Sequence, residues 1–444
     1  MKNLVGIIGL LLLLFSCSRK DSVVITGRVE NGDSIATVWV GDSVFSFRLD
    51  ENGFFSGKVR LINKTFASFS PGALDIYLTP GEDLEVYVNV NNISGSLNFR
   101  GSLGGINNYL KEQEMSVSFS NDYFSLNESD FVNKMKELIE EKTNLLEAKN
   151  FDGNFTALEK KRIRYSVAER VLVYPVHQKH YSEENSYRPG KDFTDFLNLF
   201  MPNDDELFLT KDYRKFLLNY VYFQGGRNYN AGENYSNGLA DYIVDKFSNP
   251  QIRDFLLSEI VYRHIWENNG IEGADHLLEV FYRECSNPRK VDRIRRVVQG
   301  WEKLLPGCPA PDFRVEGRKG EKIGLSEYRG SYLYLAVWAT WCVPCKTELS
   351  YMGLLQKEYE KRNIKFLAVS IDGSTGKSSW KKTLEKNKFA GRQAIVNKEN
   401  SFNRDYKIIS VPRFILIDPD GKIVDSNAPR PSGKIRSLLD ELEL

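Results

Sequence analysis

Cysteine is scarce in this chain: five in 444 residues, too few for a disulfide scaffold, so each must be judged by where it stands. Histidine is scarcer, at four. Only His177 and His180 stand close together, and no third ligand follows at a telling spacing, so no metal site is predicted. Charge of one sign is also missing. Sixty Lys+Arg against fifty-nine Asp+Glu leave a net +1, which gives no global field for a polyanion and argues against nucleic-acid binding, though not against a local basic patch. Beyond Phe15 no run is long and apolar enough to cross a bilayer, and no internal repeat or low-complexity tract occurs. What remains is ordinary. Apolar residues at 41% and charged residues at 27% are the usage of folded proteins, and the length suggests about three domains.

The one apolar run lies at the N-terminus. After Met1-Lys2-Asn3, residues Leu4 to Phe15 are almost wholly apolar, short of the ~20 residues a spanning helix needs but suited to a secretory signal. The sequence Leu14-Phe15-Ser16-Cys17 resembles a bacterial lipobox, which implies that Cys17 becomes the lipidated first residue of the mature chain. The alternative is a plain signal peptide followed by a chance cysteine. Residues 1–17 are therefore read as a lipoprotein signal peptide. The expected location is the bacterial cell envelope, lipid-anchored to a membrane on the extracytoplasmic or periplasmic side, where disulfides persist.

Three patterns follow. Residues 22–100 alternate in the strand manner (Val38-Trp39-Val40, Leu84-Glu85-Val86-Tyr87-Val88) between turns such as Glu51-Asn52-Gly53 and Pro80-Gly81-Glu82, which predicts a small antiparallel β-sandwich or barrel. Residues 103–304 change to the helical period, with Phe131, Met135, Leu138, Ile139, Leu145 and Leu146 at three- and four-residue steps, predicting an α-helical domain rich in Tyr and Phe. Asn287 before Pro288 predicts a capped helix running toward Lys303. The sequence Leu305-Pro306-Gly307-Cys308-Pro309 breaks that pattern. From 306 to 444 strand-like and helix-like segments alternate, as in an α/β domain.

The chemistry stands in that last part. Trp341-Cys342-Val343-Pro344-Cys345 sits where an apolar strand, Tyr332 to Trp338, gives way to a helix. Two thiols at i and i+3 straddle the first turn, close enough for a small-ring disulfide. The unpaired N–H groups and the dipole of a helix N-terminus favour a thiolate at Cys342, the species that attacks disulfides. Pro344 removes an N–H that the first turn leaves unpaired anyway. A zinc site would need a second cysteine pair, and Cys285 and Cys308 lack the spacing. A purely structural bridge of so small a ring would stabilise little. The pattern predicts redox chemistry, with Cys342 as nucleophile and Cys345 as its resolving partner.

Residues 306–444 resemble the TlpA/ResA-like thiol–disulfide oxidoreductases of bacterial envelopes, which have the thioredoxin fold. The resemblance is carried by Ala310-Pro311-Asp312-Phe313, Gly330, Trp338-Ala339-Thr340-Trp341-Cys342-Val343-Pro344-Cys345, and Ser410-Val411-Pro412 before Phe414-Ile415-Leu416-Ile417-Asp418. It implies that Pro412 is cis and lies against the cysteine pair. It also implies that Val411 offers its backbone to a substrate strand, and that Trp341, Val343 and Pro344 complete the groove. Thioredoxins proper carry a buried Asp six residues before the first cysteine, where this chain has Ala336. The TlpA/ResA-like branch often has a glutamate three residues after the second cysteine, here Glu348, which would exchange protons with Cys345. The peroxiredoxin pattern fails, because the Thr or Ser three back and the Pro seven back from Cys342 are Ala339 and Leu335. The strand and helical regions also resemble, in pattern alone, the accessory regions of lipid-anchored relatives.

The expected function is thiol–disulfide exchange, reducing protein disulfides, with no cofactor beyond the redox-active disulfide Cys342–Cys345. The expected partners are protein thiol or disulfide clients and an envelope electron donor. The alternative is a client- or partner-binding lipoprotein with an accessory redox domain. Cys285 and Cys308 leave two readings open: free thiols, or a bridge that requires the helix between them to break at Gly300.

Overall fold

Apolar residues alternating with polar ones, punctuated by turns, build the first eight strands of the chain. The computed structural model describes residues 21–72, 74–116, 121–181, 187–228, 235–397, 401–442 and 444. The strands are β1 Ser22–Glu30, β2 Ile35–Val40, β3 Ser43–Arg48, β4 Phe54–Arg60, β5 Thr65–Ser70, β6 Leu74–Leu78, β7 Asp83–Asn89 and β8 Asn98–Arg100. They form two four-stranded sheets, β4-β1-β7-β8 and β3-β2-β5-β6. Val23, Ile25 and Val86 of the first sheet share one buried core with Val38, Phe69 and Ile76 of the second. The sandwich departs from pure antiparallel pairing at one place: β1 and β7 run parallel, because a long excursion through β2–β6 separates them.

A short helix, α1 Ile93–Ser96, lies between β7 and β8, and five more follow the strands: α2 Gly104–Ser116, α3 Glu128–Glu147, α4 Gly153–Tyr181, α5 Lys191–Leu197 and α6 Lys211–Asn228. Asn127 caps α3 by accepting the N–H of Asp130, and the three- and four-residue steps bury Phe131, Met135 and Leu146. Leu145, one residue from that stripe, stays exposed. The Tyr and Phe of this stretch pack inward, as Phe131 does on Tyr174 with ring centres 4.1 Å apart and Tyr165 on Tyr213 at 4.7 Å.

The helical stretch continues with α7 Tyr235–Lys246, α8 Pro250–Asn268, α9 Asp275–Glu284 and α10 Pro288–Glu302. Asn287 accepts the N–H groups of Arg289 and Lys290, and Pro288 opens α10. The chain divides into two compact units, Met1–Phe223 and Gln224–Leu444. The break falls inside the helical stretch rather than at either end of it. Helices α7–α10 thus belong to one unit with the α/β part.

That α/β part comprises β9 Arg314–Gly317, β10 Lys322–Gly324, β11 Tyr332–Trp338, α11 Val343–Glu358, β12 Ile364–Ser370, α12 Gly373–Asn387, β13 Arg392–Ile395, α13 Phe402–Asp405, β14 Arg413–Ile417, β15 Ile423–Asp425 and α14 Ile435–Asp440. Its seven strands order as β10-β9-β13-β12-β11-β14-β15. Strand β11 is central, parallel to β12 and antiparallel to β14, and is buried along nearly its whole length. Met352 and Leu355 of α11, Trp380 and Leu384 of α12 and Ile435 and Leu439 of α14 share its core. The β9–β10 hairpin at one edge is too short for its apolar pattern to announce it. Among the described residues no helix is long and apolar enough to cross a membrane.

Candidate active site

Strand β11 delivers the chain to the site and then stops. The carbonyl of Trp338 accepts the N–H of Ile371, so β11 and the end of β12 close together at 2.9 Å. After a turn through Ala339, Thr340 and Trp341, Cys342 takes the N-cap of α11 with φ −83° and ψ 103°. Its sulfur accepts the N–H of Cys345 at 3.2 Å, so one of the helix's orphan donors points at the atom where charge would form. Pro344 occupies the first turn, where a missing N–H costs nothing. Cys342 and Cys345 form a disulfide with Cα atoms 5.3 Å apart. Both cysteines are buried, Cys342 at 5% exposed and Cys345 at 1%. Trp341 and Val343, which flank Cys342, are 69% and 68% exposed. Exposed apolar side chains therefore flank the buried Cys342 in the chain.

The loop before β14 closes the opposite side. The Val411–Pro412 peptide is cis, and the Sγ of Cys342 lies 3.8 Å from the carbonyl oxygen of Val411. Arg413 follows and is buried, donating from Nε to the Ser426 carbonyl at 2.7 Å and from Nη1 to the Lys407 carbonyl at 3.3 Å. Burial pushes its pKa down to about 10, with the Asp425 carboxylate opposing that shift. Glu348 sits one turn after Cys345 on α11 and is also buried. Its carboxylate accepts the Ser432 Oγ–H at 2.7 Å and the Ser432 N–H at 3.1 Å. Burial first and the charge of Glu348 second hold the Tyr334 hydroxyl well above the usual phenol range.

The sequence reading missed the group that fixes the turn. Asp372 accepts the Thr340 N–H at 2.9 Å, the Thr340 Oγ–H at 2.8 Å and the Ser370 Oγ–H at 2.5 Å. From the other side Lys346 donates to the Thr340 carbonyl at 3.2 Å. Thr340 is thereby held at its amide, hydroxyl and carbonyl, two residues before the first cysteine. A signal existed: Ser370-Ile371-Asp372 sets polar side chains at the end of a buried strand adjoining the one that carries the motif.

Other candidates lie elsewhere. Cys17 and the signal segment fall outside the described residues. Cys285 and Cys308 are not bonded to each other, and α10 runs unbroken through Gly300, which keeps its two ends apart. The His177 ring stacks on Phe124 with centres 4.3 Å apart. Among the described residues no group of three or more His, Cys, Asp or Glu is placed to hold a metal.

The family model that matches, AhpC/TSA, covers residues 306–426, the stretch that holds this constellation. The thiol–disulfide oxidoreductase ResA of Bacillus thuringiensis is 31% identical over 123 residues, 28% of this chain and 69% of that protein. ResA of Bacillus subtilis is 29% identical over 129 residues, 29% of this chain and 70% of that protein. Among solved structures, a thiol-disulfide oxidoreductase from Bacteroides fragilis is 30% identical, covering 30% of this chain and 99% of that one, with a TM-score of 0.26. The thioredoxin domain of a thiol-disulfide oxidoreductase from Bacteroides vulgatus is 26% identical, covering 32% and 99%, with a TM-score of 0.29. Through its C-terminal domain, and over that part alone, this chain belongs to the ResA-like thiol–disulfide oxidoreductases of the thioredoxin fold.

Proposed function

We propose that the protein reduces disulfides of client proteins in the bacterial cell envelope, with Cys342 as the attacking and Cys345 as the resolving thiol. The observation that carries this reading is the cysteine pair itself: a disulfide at the start of α11, its first cysteine flanked by exposed Trp341 and Val343. In the reduced enzyme the Cys342 thiolate attacks one sulfur of a client disulfide. A mixed disulfide forms and the client's other sulfur leaves as a thiolate. Cys345 then loses its proton and attacks the Cys342 sulfur, which releases the client's second thiolate. Two electrons have moved to the client, and the enzyme is left as the Cys342–Cys345 disulfide until an envelope electron donor reduces it. Glu348, one turn beyond Cys345, takes the proton. Val411 offers its main chain to an extended client segment beside cis-Pro412, and Trp341, Val343 and Pro344 give the apolar contact. No cofactor is required, and lipid on Cys17 tethers the protein.

The reducing direction rests on the thiolate's surroundings. One N–H donates to the Cys342 sulfur, and the residues between the cysteines, Val343 and Pro344, bring no positive charge. Strongly oxidising relatives carry a histidine between the cysteines that stabilises the thiolate, and its absence here favours the dithiol as an electron donor. A reduction potential near roughly −120 mV, the strongly oxidising end, would overturn the direction. In the full chain, Cys342→Ser should abolish reduction of insulin disulfides, and Cys345→Ser should accumulate mixed disulfides that run as larger species without reductant. If Cys342→Ser still reduced insulin, the assignment would be lost.

A second reading is favoured by one fact: the family match begins at residue 306 and leaves most of the chain outside it. In it the protein is chiefly a binding lipoprotein and the exchange domain is accessory. Partner binding that survives Cys342→Ser and Cys345→Ser together, with the cellular phenotype intact, would favour that view.

A further inference from the structure

The loop that carries cis-Pro412 is braced by helices outside the thioredoxin-like fold, all within the second compact unit. Ser410, two residues before Pro412, donates its Oγ–H to the Asn269 Oδ1 at 3.0 Å. Asn427, between β15 and α14, donates its Nδ2–H to the Asn268 carbonyl at 2.9 Å. Arg413, directly after Pro412, sets its guanidinium 5.3 Å from the ring centre of Trp301 in α10. Asn268 ends α8 and Asn269 caps it in the left-handed region, φ 48° and ψ 37°, which only Gly and a few polar residues adopt readily. The turn after Asn269 is itself tied down. Gly270 donates to the Ile265 carbonyl at 3.1 Å, and the His264 ring nitrogen meets the Glu272 carbonyl at 2.9 Å.

A short, braced turn thus presents one side chain to the loop residue beside Val411. We propose that Asn269 is a positioning residue for protein clients: by holding Ser410 it fixes the Val411 main chain against which an extended client segment pairs. The α8–α9 turn then forms the rim of the groove on that side, and helices α8–α10 of the second unit take part in client recognition. This rests on the exchange reading above. It also separates substrates by class. A polypeptide disulfide needs the Val411 edge, whereas a small disulfide such as glutathione disulfide reaches the Cys342 sulfur without it.

The left-handed cap makes the test clean. Asn269→Gly keeps the backbone conformation and deletes the acceptor, while Asn269→Asp keeps an acceptor oxygen. In the full-length protein, Asn269→Gly should raise KM for insulin about threefold to tenfold with kcat little changed, the size expected for one lost hydrogen bond. The ratio of kcat/KM on insulin to that on glutathione disulfide should fall by the same factor, and Asn269→Asp should restore it. Ser410→Ala should reproduce the Asn269→Gly effect, and the double variant should be no worse than either single one. An unchanged KM in Asn269→Gly overturns the proposal, as does an equal loss on both substrates or additive losses in the double variant. If the wild-type protein reduces neither substrate, the exchange reading falls and this inference with it. If it reduces both and Asn269→Gly matches it, the inference alone falls.

Discussion

Each of the two compact units buries an arginine, and the two are treated in opposite ways. In the first unit Arg162 donates to both carboxylate oxygens of Glu159, at 2.7 and 2.8 Å, and to Asp212 at 2.5 Å. Burial opposes its charge, yet Glu159 and Asp212 together outweigh burial and hold its pKa above the usual guanidinium value. In the second unit Arg413 has two backbone carbonyls and an indole face, its Nη2 has no protein partner, and burial wins. A charge neutralised on every side makes a closed structural knot. Beside cis-Pro412 the charge is left half-answered. In the first unit the buried Arg162 and Glu159 answer one another. In the second, Arg413 follows cis-Pro412, and the Val411 carbonyl oxygen before that proline lies 3.8 Å from the Cys342 sulfur.

The largest expected effect tests where function lies. Cys342→Ser should lower disulfide-exchange turnover by about 10³-fold or more, since the nucleophile is lost. Arg162→Met in the same full chain should leave the turnover per folded molecule within about twofold. Both are read from insulin reduction at matched folded concentration. Comparable losses in the two variants would erase the contrast between the units.

The next effect concerns stability and reverses the ranking. Arg162→Met leaves Glu159, fully buried, without its bidentate partner, and such losses cost about 3–5 kcal/mol. Arg413→Met removes a charge that its surroundings barely compensate and strands two carbonyls, a net cost of about 1 kcal/mol. Urea unfolding followed separately for each unit gives both values. An Arg413→Met loss as large as that of Arg162→Met would show that the two arginines do the same work.

Smaller still is the clamp on the active-site turn. Asp372→Ala deletes the acceptor of three hydrogen bonds, two of them from Thr340, and should cost about 2 kcal/mol while lowering turnover severalfold through a loosened Cys342 cap. Asp372→Asn retains one acceptor oxygen and should lie between. A variant with full stability and slowed turnover would assign Asp372 to the chemistry itself.

Local pattern made much of this legible. Strand β11, strand β14 and the start of α10 follow from apolar runs bounded by caps and prolines, and the motif at Cys342 follows from a strand handing over to a helix. Long-range geometry was not legible. Nothing in the spacing of Asp372 says that it reaches Thr340, or that Asn269 meets Ser410 across 141 residues of chain. Nor does helical periodicity reveal which helices pack together, so the break between units inside α6 has no sequence mark. The parallel pairing of β1 with β7 is hidden for the same reason: alternation fixes which face a residue takes, not which strand lies next to it.

Lys142 of the first unit lacks the carboxylate partners that Arg162 has, and it supplies the smallest test. Lys142 is buried with a single amide partner, Gln113 Oε1, at 3.4 Å. Burial, with the charge of Arg162 adding to it, pushes its pKa down to about 8 from the usual lysine value. Below that value the ammonium is charged in both folded and unfolded chains, and its burial cost is present in full. As pH rises past about 8 the folded chain sheds the proton before the unfolded chain does, so the unfolded state binds more protons and stability rises with pH. Lys142→Met removes both the cost and the rise. The variant should be more stable than wild type at pH 7 by about 1–2 kcal/mol, and the gap should shrink toward pH 10. Urea unfolding of the first unit at pH 7, 8.5 and 10 measures it. A constant gap, or one that widens with pH, would mean that Lys142 is as fully answered as Arg162.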